Sequence, residues 1–285
     1  PRPGYVAALK DLRAVLESSP SAQELSGYLQ KNFTFHEVYG AEKWGEVKLT
    51  SYYLPIIDGS RKKTKSHQMP LVRRPKDLIR IKTAQFWDPI DQIRTMRGRF
   101  ADKSQRDIVP YHSREEIMAG ALPLAKLAWC YVGLLEAFWA QIQGSVTVKL
   151  DDGKMLRLGY ADQNGHPYVP IGKFLFHEIP REEMSKDRID QYLRTLPLAE
   201  REAFLNQNPS FVFFRELQGE AVTANNTPVV DGRTIATDPR FFPKGTLAYL
   251  LFDHPEKEFQ KEGRLVFDQD TGGAITGPGR VDLFL

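Results

Sequence analysis

The sequence predicts an α+β fold, mostly β with helices. Three observations carry that reading. Helical and strand patterns come in blocks (helices, strands, helices, strands) rather than in strict alternation. Helical periodicity follows two Ser-x-x-Glu boxes, at 21–24 and 113–116, in which serine and glutamate satisfy each other's free backbone donors. Period-two alternation marks a hairpin over 146–160 and recurs toward the C-terminus.

The elements follow in order. Val6, Leu9, Leu12 and Leu16 share one helical face, and Ser18, Ser19 and Pro20 end it. Ser21 to Glu24 opens a second helix. Val47, Leu49 and Ser51 alternate into Tyr52 and Tyr53, a strand that Pro55 stops. Residues 58–77 read as a basic loop punctuated by glycine and proline, either solvated or a cationic lip for an anionic substrate. After Ser113 to Glu116, Ile117, Ala121, Leu124, Ala128, Tyr131, Leu135, Phe138 and Ile142 predict one long helix, with Pro123 as a kink and Gly144 as its stop. Val146, Val148 and Leu150 pair through a turn at 151–153 with Leu156, Leu158 and Tyr160. Asn164-Gly165 reads as a turn. Two helical segments lie within 183–206, the first capped by Ser185, and strands follow at 211–217, 246–252, 264–268 and 281–285.

Composition sets the class. The chain has 285 residues, enough for one large or two moderate domains, and 41% hydrophobic residues with 26% charged fit a globular core. A net charge of +3 is too small to imply a nucleic-acid partner. The lone cysteine, Cys130, excludes an internal disulfide and falls on the apolar face of the expected helix, as a small buried hydrophobe. The most apolar run, 127–135, is far shorter than the roughly 20 residues a membrane span needs. The opening PRPGYVAALK has no signal-peptide pattern.

The last twenty residues, VFDQDTGGAITGPGRVDLFL, carry three aspartates among glycines. A phosphate loop fails, because Pro278 and Gly279 stand where lysine and a hydroxyl residue should follow Gly277. A calcium loop fails, because Gly272 and Gly279 replace oxygen ligands. His36, His67, His112, His166, His177 and His254 show no zinc spacing and are expected to be surface or hydrogen-bonding residues, so no metal or other cofactor is expected. No Gly-x-Ser-x-Gly elbow occurs. Two readings of Asp270 and Asp282 remain: turn and capping residues, or a carboxylate pair brought together by a loop that closes on itself.

Several blocks, in order, resemble the MltA family of membrane-bound lytic murein transglycosylases. They are SYYLP (51–55), DGSRKKT (58–64), QMPLVRRPKDL (68–78), SREEIMAGAL (113–122), QIQGS (141–145), LGYADQNGHPYVPIGKFL (158–175), NPSFVFF (208–214), TIATDPRFFPKGTLAYL (234–250) and QDTGGAITGPGRVDLF (269–284). The resemblance implies a double-psi β-barrel domain, residues 1–54 with 218–285, an inserted mostly-β domain, 55–217, and a glycan groove between them. It implies cleavage of the β-1,4 bond between N-acetylmuramic acid and N-acetylglucosamine, with a 1,6-anhydromuramic end as product. A hydrolase needs two carboxylates. Here the sugar's own C6 hydroxyl attacks C1, so one acid/base suffices.

By the same resemblance Asp282 is the acid/base, and Asp270 is its like-charged neighbour or orienting group. Thr50, Tyr52, Tyr53, Gln143, Gly144 and Ser145 are candidates for binding glycan, with packing as the other reading of the strand tyrosines. The partners are peptidoglycan glycan strands and other cell-wall enzymes. The location is periplasmic, with a lipid anchor on the outer membrane supplied by a part of the precursor not in this chain. The sequence departs from the family pattern at Ser51, Leu54, Val146 and Asp162, and family members continue beyond the DLF block, so a partial chain is expected. Two further readings stand beside this one: a hydrolytic glycosidase using Asp270 with Asp282, and a murein-binding module without catalysis.

Overall fold

The computed structural model describes residues 3–40, 43–83, 95–219, 222–253, 260–273 and 275–285. It is a mixed α+β chain built mostly of sheets, in two compact units. One unit comprises Pro1–Ser51, Val230–Thr271 and Ile275–Leu285; the other comprises Tyr52–Val229 with Gly272–Ala274.

The chain opens with α1 (Pro3–Glu17) and α2 (Ala22–Asn32). The capping box forms as expected, with Ser21 N donating to the Glu24 carboxylate at 2.8 Å and Glu24 N donating to Ser21 Oγ at 3.3 Å. Tyr5 fixes α1 within its unit: its hydroxyl donates to Gly245 O at 3.0 Å and accepts from Leu247 N at 2.7 Å.

Next come β1 (Lys48–Tyr52), β2 (Ile56–Gly59), β3 (Met69–Val72), β4 (Ile79–Lys82), β5 (Thr95–Phe100) and β6 (Ile108–Pro110). The expected basic loop 58–77 is therefore interrupted. Its cationic part stays exposed, but all four residues of β3 are buried. Lysine and arginine on either side masked that short apolar strand.

The long helix expected over 117–142 is also corrected. Ser113 does cap α3 (Arg114–Glu116), and one wide turn, Ile117–Ala121, follows. Gly120 then takes φ 104°, a left-handed value that ends the turn. After the short α4 (Leu124–Leu127), the chain becomes a strand, β7 (Ala128–Val132), antiparallel to β3. Helix resumes only at α5 (Leu134–Gln143), which Gly144 stops in a left-handed cap as expected. The run 128–132 is apolar on both faces, and periodicity cannot tell a buried strand from a buried helix. Cys130 is buried as expected, but on β7, and burial pushes its thiol up to about 12.

The predicted hairpin forms as β8 (Ser145–Leu150) and β9 (Met155–Gln163). Ser185 caps α6 (Lys186–Thr195), and α7 (Leu198–Asn206) and β10 (Val212–Glu216) complete the second unit. Among the described residues its strands form three sheets, ordered β10-β9-β8-β2, β3-β7 and β4-β5-β6. Leu71, Val132, Val146, Val148, Leu158 and Phe214 form one core, and Leu135, Phe138, Leu193 and Leu205 join α5 to α6 and α7 in another.

The remaining strands are β11 (Thr234–Ala236), β12 (Thr246–Asp253), β13 (Lys261–Asp270) and β14 (Arg280–Phe284). With β1 they make one sheet in the order β1-β14-β11-β13-β12, over a core of Ile235, Val266, Val281 and Leu283. Strands β4, β5, β6 and β11 were not expected; β11, at three residues, is too short to show alternation.

Asn164 is more than a turn residue. Gly165 does take φ 90°, but Asn164 is fully buried. Its amide donates to His112 O at 2.9 Å and Pro209 O at 2.8 Å, and accepts from Phe211 N at 2.9 Å. His166 also makes a hydrogen-bond contact, with Nε2 2.7 Å from Tyr111 O; His254 lies outside the described residues. Asn164→Ala strands one buried and two part-buried backbone groups and is expected to lower stability by about 3 kcal/mol, measured by urea unfolding.

Candidate active site

The site in the first unit is set by the pairing of β11. This strand lies parallel to β13 on one side and antiparallel to β14 on the other. Ala236 is the partner of Asp270 in the first pairing and of Asp282 in the second. Adjacent strands are about 4.8 Å apart, so the two aspartate backbones sit about 10 Å apart in one row with Ala236 between them, and the pairing with β13 shifts register just before Ala236.

Asp282 is buried on β14. The Thr50 hydroxyl on β1 donates a short hydrogen bond to its Oδ1. Arg280, two residues earlier on the same face of β14, places Nε 3.4 Å from Asp282 Oδ1 and donates from Nη2 to Thr50 Oγ1 at 3.2 Å. Thr50, Arg280 and Asp282 thus form a closed triangle. The charged group against Asp282 is a cation, not the like charge expected of Asp270. Asp270 stands two strands over, where its carboxylate accepts from Thr271 N at 2.9 Å.

The carboxyl that feels Asp270 is Asp268, one turn of the pleat earlier on β13. Burial pushes Asp268 up; Lys244 and Thr237 pull it down, and the charge of Asp270 adds to the rise. Lys244 Nζ donates to Asp268 Oδ1 at 2.7 Å, and Thr237 Oγ1 donates to Oδ2 at 2.8 Å.

Asp238 anchors the glycine-rich loop. Its carboxylate accepts from Arg240 Nε at 2.9 Å and from Gly277 N at 2.8 Å. Gly277 is held at φ 85°, a conformation that suits glycine, just before the chain enters β14. The Arg240 hydrogen bonds, opposed by burial, lead in holding the Asp238 carboxyl down to about 2. Sequence reasoning did not single out Asp238, Lys244 or Arg280. The available signal was the Asp238-x-Arg240 spacing, which suits a turn in which aspartate accepts from the backbone two residues on; Arg240 N does donate to Asp238 Oδ1 at 3.0 Å.

In the second unit, Gln143, Gly144 and Ser145 make one corner from the end of α5 into β8. Gly144 N donates to Ala140 O at 2.9 Å, which closes the helix. The corner is braced by buried Arg114, which donates to Gln141 Oε1 at 2.6 Å, Asn208 O at 3.0 Å and Ser210 O at 2.7 Å. Burial lowers that guanidinium to about 9. Tyr160 flanks the corner: a Cβ on Gly144 would lie 3.9 Å from the Tyr160 Cβ. Tyr52 is half-buried and Tyr53 exposed, directly after Thr50 in the chain.

Comparison with known proteins adds the following. Residues 48–215 match the MltA specific insert domain, and residues 233–285 match the 3D domain. Membrane-bound lytic murein transglycosylase A of Escherichia coli (strain K12) is 32% identical over 249 residues, which are 85% of this chain and 60% of that protein. The crystal structure of a membrane-bound lytic murein transglycosylase from Agrobacterium tumefaciens superposes with a TM-score of 0.71 at 29% identity, over 83% of this chain and 66% of that one. E. coli MltA with bound chitohexaose gives a TM-score of 0.68 at 30% identity, over 86% of this chain and 66% of that one. The chain spans about three-fifths of the length of the E. coli protein.

The Asp238 anchor has a pH signature. A carboxyl depressed in the folded state contributes stability above its unfolded value, near 3.9, and loses it as the pH falls toward about 2. Asp238→Asn is therefore expected to flatten the loss of thermal stability between about pH 4 and pH 2, recorded by melting curves across that range.

Proposed function

The chain belongs to the MltA family, and we propose on that premise that it is a peptidoglycan lytic transglycosylase. It cleaves the β-1,4 bond between N-acetylmuramic acid and N-acetylglucosamine without water and leaves a 1,6-anhydromuramic end. The observation that carries the reading is the triangle at Asp282: one buried carboxylate, oriented by the Thr50 hydroxyl and the Arg280 guanidinium. A carboxyl held between two fixed neighbours supports the reading of a single acid/base.

The residues divide the work in this reading. Asp282 gives its proton to the glycosidic oxygen as the C1–O4 bond breaks. The muramic C6 hydroxyl, already in the same sugar, closes on C1. Its proton passes to Asp282, which restores the acid for the next cycle. A well-oriented intramolecular nucleophile has an effective molarity of about 10⁵–10⁸ M, so no second carboxylate is needed to activate water. Thr50 and Arg280 keep the carboxyl in one orientation; Asp270, across Ala236, orients the bound sugar. Tyr52, Tyr53 and the Gln143–Ser145 corner supply hydroxyl, amide and ring surfaces for N-acetyl sugars.

The reading extends to the double-psi form of the barrel unit and to the glycan groove that the family resemblance implies. It places the enzyme in the periplasm, on the outer membrane through a lipid anchor, with glycan strands and other cell-wall enzymes as partners. The relatives' membrane-bound names support that location. One observation favours hydrolysis as a second reading: the spacing of about 10 Å between the Asp270 and Asp282 backbones leaves room for a water between two carboxylates.

Asp282→Asn is expected to cut release of anhydro-muropeptides from murein by about 10²–10⁴-fold while binding to sacculi persists, measured by chromatography of soluble products alongside a pull-down. Turnover at the wild-type rate would remove Asp282 from the chemistry.

A further inference from the structure

The second unit carries a charge cluster that the glycan chemistry leaves unused. Arg74, Arg80 and Arg97 all turn their Nε edges onto one carboxylate, Asp162, at 3.1, 3.7 and 2.9 Å. Asp162 is 1% exposed. Arg80 and Arg97 are direct partners across β4 and β5, an arrangement of like charges that destabilises a sheet unless an anion lies between them. Among the described residues Asp162 is that anion, and one carboxylate does not balance three guanidinium groups.

The imbalance continues along the strand. Arg99 follows Arg97 on the same face of β5, and its Nε is buried with no hydrogen-bond partner among the described residues. Asp77, near Arg99, accepts from the Tyr111 hydroxyl at 2.9 Å. Among the described residues, Arg80 and Arg97 meet no carboxylate other than Asp162. The Arg80 side chain is 50% exposed, so its outer edge faces solvent. Asp162 thus draws the three Nε edges together. Arg74 spends its Nη atoms on Pro75 O and Leu78 O and the Arg97 side chain is 14% exposed, so among the described residues it is Arg80 that offers a free guanidinium edge of the kind that receives a carboxylate.

The cluster adjoins the Gln143–Ser145 corner. Tyr160 lies beside Gly144 on one side and close to the charge of Arg97 on the other. A sugar chain on that corner would carry its substituents toward the arginines.

We propose that Arg80 and Arg97, preset by Asp162, form a subsite for the free carboxylates of murein peptide stems. The proposal rests on the glycan reading above. The subsite would make the protein favour peptide-bearing strands over bare glycan of the same length.

The test uses the full chain with Asp282→Asn, so that the probes survive, and two probes of identical glycan. One is a murein tetrasaccharide with its tetrapeptide stems; the other is the same tetrasaccharide after amidase has removed them. Calorimetry should show tighter binding of the stem-bearing probe, with a preference that shrinks as salt rises. Arg80→Gln should weaken the stem-bearing probe about tenfold and leave the bare one unchanged, and Arg80→Glu should weaken it further. Melting curves establish that both variants fold. Equal affinity for the two probes, or equal loss on both in the Arg80 variants, overturns the subsite and leaves the glycan reading standing. Binding of neither probe overturns both.

Discussion

The first unit depends on one three-residue strand. Thr234–Ala236 is fully buried between a parallel and an antiparallel neighbour, and that pairing alone sets Asp270 and Asp282 in one row. Parallel pairing needs a long crossover, and here residues 237–260 separate Ala236 from its partner strand. Thr50 reaches Asp282 from a segment 232 positions away in sequence. The geometry of the site is therefore largely non-local, with the Arg280–Asp282 contact the local exception, and it cannot exist before the first unit has assembled.

Buried carboxylates recur, each with a cation. Removing one member of such a pair leaves an uncompensated charge, which is why these groups come in sets. Their grip differs. Asp268 is held by Lys244 at 2.7 Å and Asp238 by an Arg240 fork. At Asp282 the guanidinium Nε stays at 3.4 Å and makes no hydrogen bond of its own, while a neutral hydroxyl makes the close contact.

Local signals in the sequence were read well and non-local ones poorly. Both capping boxes formed, because serine and glutamate three residues apart settle their own hydrogen bonds whatever surrounds them. The hairpin at 145–163 formed because its turn and its alternation agree. The helix expected over 117–142 failed at 128–132, where pairing with a distant buried strand overrode an apolar pattern compatible with either structure. Asp282 and Asp270 became candidates through resemblance, since spacing alone left them as possible turn residues. Arg280 and Asp238 were not singled out: their short spacings to Asp282 and Arg240 were present in the chain, but the reach of Arg280 to Thr50 and of Asp238 to Gly277 is long-range and shows as no pattern.

Whether water takes part in the cleavage divides a lytic transglycosylase from a hydrolase most directly. Digestion of murein by the full chain in heavy-oxygen water, followed by mass spectrometry of the released ends, reads this in one step. The account predicts ends one water lighter than a hydrolysed sugar, with no heavy oxygen incorporated. One heavy oxygen at each new reducing end would contradict it, and would assign the pair at Asp270 and Asp282 to hydrolysis.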